Sequence, residues 1–152
     1  MKFIKLAFIS FVLLFGLLTA ISLLIPSTVR ISKAIDLRAP KDSVRSLLTD
    51  TAQWRVWHPA YQNNQKQQAS IQITSVTDNG VTATISSPGK NSLINGWQFY
   101  HHGDRESYTL QWYIDFKLRW YPWEKFGSLF YEATYGKMLE TGLSNIKKHV
   151  QS

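Results

Sequence analysis

Apolar and polar positions divide the chain into an apolar N-terminal segment and a longer mixed region. Residues 6–25 carry no charged side chain. As an α-helix with a rise of about 1.5 Å per residue, this segment would span about 30 Å, the thickness of the hydrocarbon core of a bilayer. Pro26 then ends the apolar pattern. The sequence therefore predicts a transmembrane anchor in residues 1–26 and a separate domain in residues 27–152.

A cleaved signal peptide is the alternative interpretation of the same segment. Its apolar core would ordinarily be about 7–15 residues long and would precede small residues at the cleavage site. The best candidate site, Ala20-Ile21-Ser22, fits that rule poorly. A retained single-pass anchor is the interpretation we favour.

The mixed region begins with a strand and two short helices. Apolar and polar side chains alternate over residues 29–37, which is the period of a β-strand. Pro40 suits the first position of a helix that ends near Asp50. A second short helix carries Trp54 and Trp57.

Antiparallel strands follow these helices. Asn79-Gly80 separates two alternating runs and predicts a hairpin whose turn requires positive φ at both residues. Residues 93–101 form the next predicted strand. A long alternation from Tyr108 to Trp120 then predicts a strand with one apolar face. We interpret its polar face as solvated surface, with three charged residues: Asp115, Lys117 and Arg119.

The C-terminal segment has helical spacing. An apolar stripe recurs mostly at steps of three and four, at Phe126, Leu129, Phe130, Ala133, Leu139, Leu143, Ile146 and Val150. The stretch before about Gly127 is alternatively a separate turn. Gly136 lies on the stripe, so either another backbone approaches it or space is left open there. The whole pattern predicts an α+β domain.

Composition and charge exclude several classes of function. The chain of 152 residues has no cysteine, which excludes disulfides, thiolate metal sites and a cysteine nucleophile. The net charge of +7 falls to +5 when Lys2 and Lys5 of the apolar segment are set aside (7 − 2 = 5). The remaining basic residues are scattered, so we predict no nucleic-acid partner.

Candidate chemical groups are few. No Gly-rich phosphate loop or metal-ligand spacing occurs, so we predict no metal and no cofactor. His101 and His102 are adjacent at a strand end, where successive side chains point to opposite faces. They are therefore poorly placed to share a metal ion. His58, beside Trp57 in a predicted loop, is the one candidate general base.

Three stretches together carry a resemblance to a known superfamily. They are Ile35-Asp36-Leu37-Arg38-Ala39-Pro40 with Val44 and Leu48, Trp54-Arg55-Val56-Trp57, and residues 139–148 of the last helix. In this order they resemble the START-like or Bet v 1-like superfamily (SRPBCC, polyketide cyclase-like), most closely its membrane-anchored bacterial members. The resemblance implies a helix-grip fold, in which a curved antiparallel sheet wraps a long C-terminal helix around a hydrophobic cavity.

The resemblance also implies a function. Members of the superfamily bind lipids, sterols, polyketides or other apolar molecules, and some catalyse cyclisation or hydrolysis without shared catalytic residues. We therefore predict a membrane-anchored domain that binds a hydrophobic small molecule or lipid. The predicted cavity lining is Trp97, Phe99, Trp112, Phe116, Leu139 and Leu143. The sequence shows fewer clear strands than is usual for the superfamily, which predicts a smaller or more open cavity.

Two other functions stay open. The first is a cyclase or hydrolase that uses His58 in the same cavity. The second is a non-catalytic interaction module with a filled core and a partner surface near the polar loop of residues 62–68. A further alternative concerns Trp120-Tyr121-Pro122-Trp123, which could act as an interfacial anchor because Trp and Tyr favour the headgroup zone.

The charges that flank the apolar segment bear on its orientation. Lys2 and Lys5 favour a cytoplasmic N-terminus. Basic residues after the span oppose this, but charges in a domain that is translocated as a whole count less. We predict a single-pass protein of the bacterial inner membrane with its domain on the extracytoplasmic side.

Overall fold

A computed structural model describes residues 2–62, 69–101, 103 and 107–152. Most of the polar loop of residues 62–68 lies outside the described residues, as does His102. The helices are α1 (Lys2–Ser22), α2 (Lys41–Thr49), α3 (Trp54–Trp57), α4 (Pro59–Gln62), α5 (Pro122–Gly127) and α6 (Tyr131–Gln151). The strands are β1 (Thr28–Leu37), β2 (Ser70–Thr77), β3 (Gly80–Ser86), β4 (Leu93–His101) and β5 (Tyr108–Lys117).

Helix α1 is long and apolar enough to cross a membrane, and its most apolar stretch is not buried against the rest of the protein. Only its last residue, Ser22, is buried. A helix that is apolar on all sides and unpacked differs from a core helix of a soluble domain, which would be covered.

The five strands form one antiparallel sheet in the order β1-β5-β4-β3-β2. The predicted hairpin is confirmed, but its turn differs from the prediction. Asp78 and Asn79 form the loop, Gly80 already pairs with Thr77 in the sheet, and none of these residues has positive φ. Gly80 is required there for another reason, since an added Cβ would lie 2.6 Å from the carbonyl oxygen of Trp97.

Strand β5 is shorter than its alternation predicts. It ends at Lys117, because its neighbour β1 begins at Thr28 and offers no further partner. The Leu118 N–H donates instead to the carbonyl of Ser27 before the chain leaves the sheet. Trp120 is therefore 61% exposed rather than part of the buried face.

The predicted C-terminal stripe is correct only from α6 onward. A separate short helix, α5, and a 3₁₀ turn (Ser128–Phe130) precede α6 and point their side chains differently. Leu129 and Phe130 are consequently exposed, and Ala133 in the first turn of α6 is exposed as well, so the predicted stripe is buried only from Gly136 onward. The buried stripe of α6 consists of Gly136, Leu139, Gly142, Leu143 and Ile146.

A cluster of tryptophans fills the middle of the space between the sheet and α6. Trp54, Trp57, Trp97 and Trp112 are all fully buried, and their ring centroids lie 5.4–6.0 Å apart in the contacting pairs. Trp112 reaches α6 at Gly142, where an added Cβ would lie 2.5 Å from the Trp112 ring.

We expect Gly142→Ala to destabilise the protein. Its Cβ would overlap Trp112 and Pro59, and overpacking of this kind costs about 1–3 kcal/mol. That cost offsets or exceeds the gain of about 1 kcal/mol in helix propensity. Urea unfolding of the full chain in detergent, followed by tryptophan fluorescence, measures the change.

Gly127→Ala is the matched control, because an added Cβ at Gly127 meets nothing within 4 Å. We expect this variant to be neutral or more stable than the natural chain. Equal stability of the two variants would contradict a close contact between Trp112 and α6.

Candidate functional site

An apolar pocket of about 320 Å³ lies between one end of the sheet and the first turns of α6. Its walls are apolar and aromatic side chains from three strands, the segment after β5 and α6: Ile85, Leu93, Phe116, Leu118, Tyr131 and Tyr135. The Phe116 ring lies 4.7 Å from each of the Tyr131 and Tyr135 rings, centroid to centroid. The pocket can therefore take an apolar group against an aromatic wall.

Charged side chains surround the rim of this pocket. They are Lys90, Lys117, Arg119 and Glu124. The Arg119 guanidinium donates to the Asn91 side-chain carbonyl at 3.1 Å, and its backbone N–H donates to the Glu124 carboxylate. These contacts leave basic groups at the entrance, where they can meet a polar or anionic end of a ligand.

Two buried donors lie further inside the sheet. On the inner face of β4, Leu93 is followed along the strand by Asn95 and then by Trp97. Asn95 accepts a hydrogen bond from the Trp112 indole at 3.0 Å. Within the described residues, Asn95 Nδ2 and Trp97 Nε1 have no hydrogen-bond partner. Each such buried donor costs about 1–3 kcal/mol until it is satisfied.

A second concavity, of about 520 Å³, lies on the outer face of the sheet. Hydroxyl and amide groups of β2, β3 and β4 line it together with Tyr113. Beside it Arg30 sits over the Tyr113 ring at 4.1 Å and binds both carboxylate oxygens of Asp115 at 2.6 and 2.7 Å. Asp115 thus pairs across strands in a structural role, as a solvated sheet face predicts.

Comparison with solved structures finds this architecture in other proteins. CalU16 from Micromonospora echinospora is 18% identical, with a TM-score of 0.55 over 80% of this chain and 73% of that one. Norcoclaurine synthase from Thalictrum flavum is 11% identical, with a TM-score of 0.57 over 81% and 93%. The di-domain ARO/CYC protein StfQ of the steffimycin biosynthetic pathway is 8% identical, with a TM-score of 0.58 over 82% and 51%.

The chain has the helix-grip fold, which it shares with these three solved structures. The resemblance found in its sequence and the predicted α+β class are confirmed at the level of fold. No protein-family model matches the chain, and neither does any curated protein. At identities this low, the function has to be argued from the site itself.

The helix-grip domain buries all six residues that the sequence predicts as cavity lining, but it does not bring them to one pocket. Phe116 lines the apolar pocket. Trp97 and Trp112 stack on each other at 5.6 Å, and Phe99 packs on Tyr108 at the other end of the sheet. Leu139 and Leu143 belong to the same buried core. That these residues line a ligand cavity stays a prediction.

The sequence pattern does not predict most of the residues that form the pocket wall. Tyr131 and Tyr135 stand on α6 four residues apart, a spacing that places them on one helix face. Their place beside Phe116 depends on where α6 crosses the sheet, which no local pattern specifies. Lys117 and Arg119, predicted as solvated surface, are at the pocket rim.

His58 lies inside the tryptophan cluster of the helix-grip domain and is not among the pocket residues. Its ring stacks on Trp54 at 5.5 Å and meets Trp57, Tyr61 and Trp112 edge-on or tilted. Nδ1 accepts the backbone N–H of Ala60 at 3.2 Å. Burial lowers the pKa of His58 to about 3. The imidazole is therefore neutral at pH 7.

The part of the chain that the structure describes contains no candidate metal site. Within residues 2–62, 69–101, 103 and 107–152, no three His, Asp or Glu side chains come together as a metal site requires.

The buried His58 makes stability depend on pH. Its folded pKa of about 3 lies below the unfolded value of 6.5, so the unfolded state takes up the proton first. The stabilisation is fully present above pH 6.5 and is lost as pH falls below it, by about 1.4 kcal/mol per pH unit. We expect the free energy of unfolding to drop by about 2 kcal/mol between pH 6.5 and 5 from this residue.

His58→Phe keeps an aromatic ring in the cluster and should abolish this part of the pH dependence. His149→Gln, at an exposed position outside the cluster, is the comparison variant. Denaturant titrations at several pH values give the slopes. A His58→Phe variant with the natural slope would show that His58 does not titrate as its burial requires.

Proposed function

We propose that this protein is a membrane-anchored helix-grip domain that binds a hydrophobic small molecule or lipid. The observation that carries the proposal is the apolar pocket between Phe116 on the sheet and Tyr131 and Tyr135 on α6. Small-molecule sites are concave, mostly apolar and lined with aromatic groups, with a few polar groups that fix orientation. In this pocket, apolar and aromatic side chains form one wall, and polar or charged residues form about half of the lining.

The polar groups indicate which ligand chemistry the pocket suits. A molecule that enters past Lys117 and Arg119 meets apolar walls first. The unpaired donors of Asn95 and Trp97 lie one and two positions further along the inner face of β4. Neither residue is part of the pocket lining, so these donors belong to the packed core. The basic side chains of the lining suit an apolar ligand that carries a polar or anionic end.

The helix-grip fold is compatible with binding, and the one candidate base that the sequence predicts lies outside the pocket. CalU16, norcoclaurine synthase and StfQ share only the fold with this chain. His58, the one base that the sequence offers, is neutral and held inside the tryptophan cluster. We therefore favour a binding role over a cyclase or hydrolase.

The anchor is the second half of the proposal. We propose that α1 stays attached and crosses the bacterial inner membrane, with the domain outside the cytoplasm. Its length, its apolar composition and its exposure on all sides support this interpretation.

A pocket-filling variant tests the binding site. The full chain is placed in phospholipid nanodiscs with a diazirine-bearing fatty acid, irradiated, digested and analysed by mass spectrometry. We expect label on peptides that contain Phe116, Tyr131 or Tyr135. Leu93→Trp fills the pocket from β4 and should reduce this labelling several-fold.

The matched control is Val76→Trp, because Val76 is half exposed at the opposite end of the sheet. It should leave labelling of the pocket peptides unchanged. Label that persists in Leu93→Trp at the natural level would contradict binding in this pocket.

The absence of cysteine allows a direct test of the anchor and its orientation. Val76→Cys introduces the only thiol of the chain. In intact bacteria a membrane-impermeant maleimide should label it, and the labelled protein should stay in the membrane pellet at high pH. N-terminal sequencing should find Met1 rather than a new end near Ser22. A soluble, shortened protein would show that the segment is a cleaved signal.

A further inference from the structure

In the segment between β5 and α6, large apolar side chains are exposed and polar side chains are buried, which is the reverse of the usual arrangement in a soluble protein. We call this stretch the reversed segment. Four large apolar residues of this segment are 61–70% exposed: Trp120, Trp123, Leu129 and Phe130. Lys125 and Ser128 of the same segment are only 3% and 4% exposed. An amphipathic segment ordinarily buries its apolar face and solvates its polar face. A cluster of exposed large apolar side chains marks an interaction surface.

The buried Lys125 attaches this segment to the end of α1. Its ammonium donates to the carbonyl of Ile25 at 2.8 Å and to the hydroxyl of Ser27 at 3.0 Å. Both acceptors lie just after α1, where the chain passes from the apolar helix to the domain. The backbone hydrogen bond from Leu118 to Ser27 fixes the other side of the same junction. The reversed segment is therefore held beside the point at which α1 ends.

The chemistry of the exposed side chains fits the boundary between headgroups and acyl chains. Trp is enriched at that boundary because its ring is apolar and its indole N–H is polar. Leu129 and Phe130 supply apolar groups of the kind that enter the acyl region in interfacial helices. Leu23 and Leu24, at the end of α1, are also exposed and continue the same apolar surface.

Basic groups lie next to this surface. Lys117 is the last residue of β5, Arg119 follows the strand, and Lys90 lines the same pocket. Cationic side chains beside an apolar surface complement the phosphates of a bilayer.

We propose that residues 120–130 insert their exposed apolar side chains into the surface of the bilayer that α1 crosses. The occupant of this surface is thus the lipid bilayer and not a protein partner. This proposal rests on the proposed membrane anchor. It extends the proposed function, because it states that the ligand enters the pocket from the bilayer rather than from water.

The pocket lies next to this segment, because the two share or adjoin lining residues. Arg119, Glu124 and Tyr131 line the pocket and lie within or beside residues 120–130. With the segment inserted, the pocket entrance lies at the bilayer surface. An apolar molecule then passes from the membrane into the pocket without crossing water. The ligand class is accordingly a component of the bilayer itself, a lipid or a molecule dissolved in it.

Spin labels on single cysteines measure the depth of each position. The probes are Trp123→Cys and Phe130→Cys, with Val76→Cys at the other end of the sheet as the water-exposed reference and Leu13→Cys within α1 as the membrane reference. Each full-length variant is labelled in vesicles of phosphatidylcholine and phosphatidylglycerol. Collision with oxygen reports the lipid phase, and collision with a water-soluble nickel chelate reports the aqueous phase.

We expect positions 123 and 130 to lie between the two references, with stronger oxygen and weaker nickel collisions than position 76 and a shallower depth than position 13. Labels at 123 and 130 that behave like position 76, while position 13 is in lipid, would overturn the insertion and leave the anchor intact. A position 13 that is accessible to the nickel chelate would overturn the anchor, and the insertion with it.

A double variant tests the link to the pocket. Trp123→Ser with Phe130→Ser removes the inserted side chains at exposed positions outside the pocket wall, and Val76→Ser is its control. Photolabelling of the pocket peptides by the diazirine fatty acid from vesicles should become several-fold slower in the double variant only. In detergent solution both variants should label like the natural chain. Equal rates in vesicles would overturn delivery from the bilayer, whatever the depth measurements show.

Discussion

The contact between Trp112 and Gly142 determines where space remains inside this domain. Because Gly142 has no side chain, the Trp112 ring packs against the backbone of α6 and holds the helix close to the middle of the sheet. Trp54, Trp57 and Trp97 then fill the volume around that contact, with His58 as a further neutral ring. Interiors pack near the density of organic crystals, so such a cluster leaves room only away from the middle. The apolar pocket accordingly lies at one end, where Phe116 faces Tyr131 and Tyr135.

The same end of the sheet receives the chain from α1. Lys125 is buried there by its contacts with Ile25 and Ser27. Burial of an ammonium is costly unless its hydrogen bonds are satisfied, so these contacts decide which side of the segment faces inward. Once Lys125 faces the domain, Trp123 and its apolar neighbours have to face outward. The exposure of these side chains is thus a consequence of how the domain is joined to its apolar helix.

Local pattern predicts the elements of this fold well and their mutual placement less well. The alternation in β1 places Lys33 on the apolar side of the strand, opposite Trp112. Its place is explained only by α6, where Glu132 and Glu140 bind its ammonium at 2.8 and 3.1 Å and Gly136 leaves room for its stem. The predicted stripe through Leu129 and Phe130 was wrong because the chain turns before α6. Residue spacing alone does not indicate where a chain changes direction. The pocket wall escaped prediction for the same reason, since it joins β4, β5 and α6 across long sequence separations.

The number of strands in the described sheet bears on why the pocket is open at one end. A sheet of five strands cannot surround α6 completely, so apolar walls at its end would face water unless something covers them. Exposed apolar surface costs about 25 cal/mol per Å² relative to burial, and the aromatic side chains of residues 120–130 add to that cost. The bilayer contact that we propose would relieve both, because it would cover the exposed side chains and place the pocket beside a source of apolar molecules. Under that proposal, the apolar helix α1, the reversed segment and the pocket at the end of the sheet belong to one arrangement.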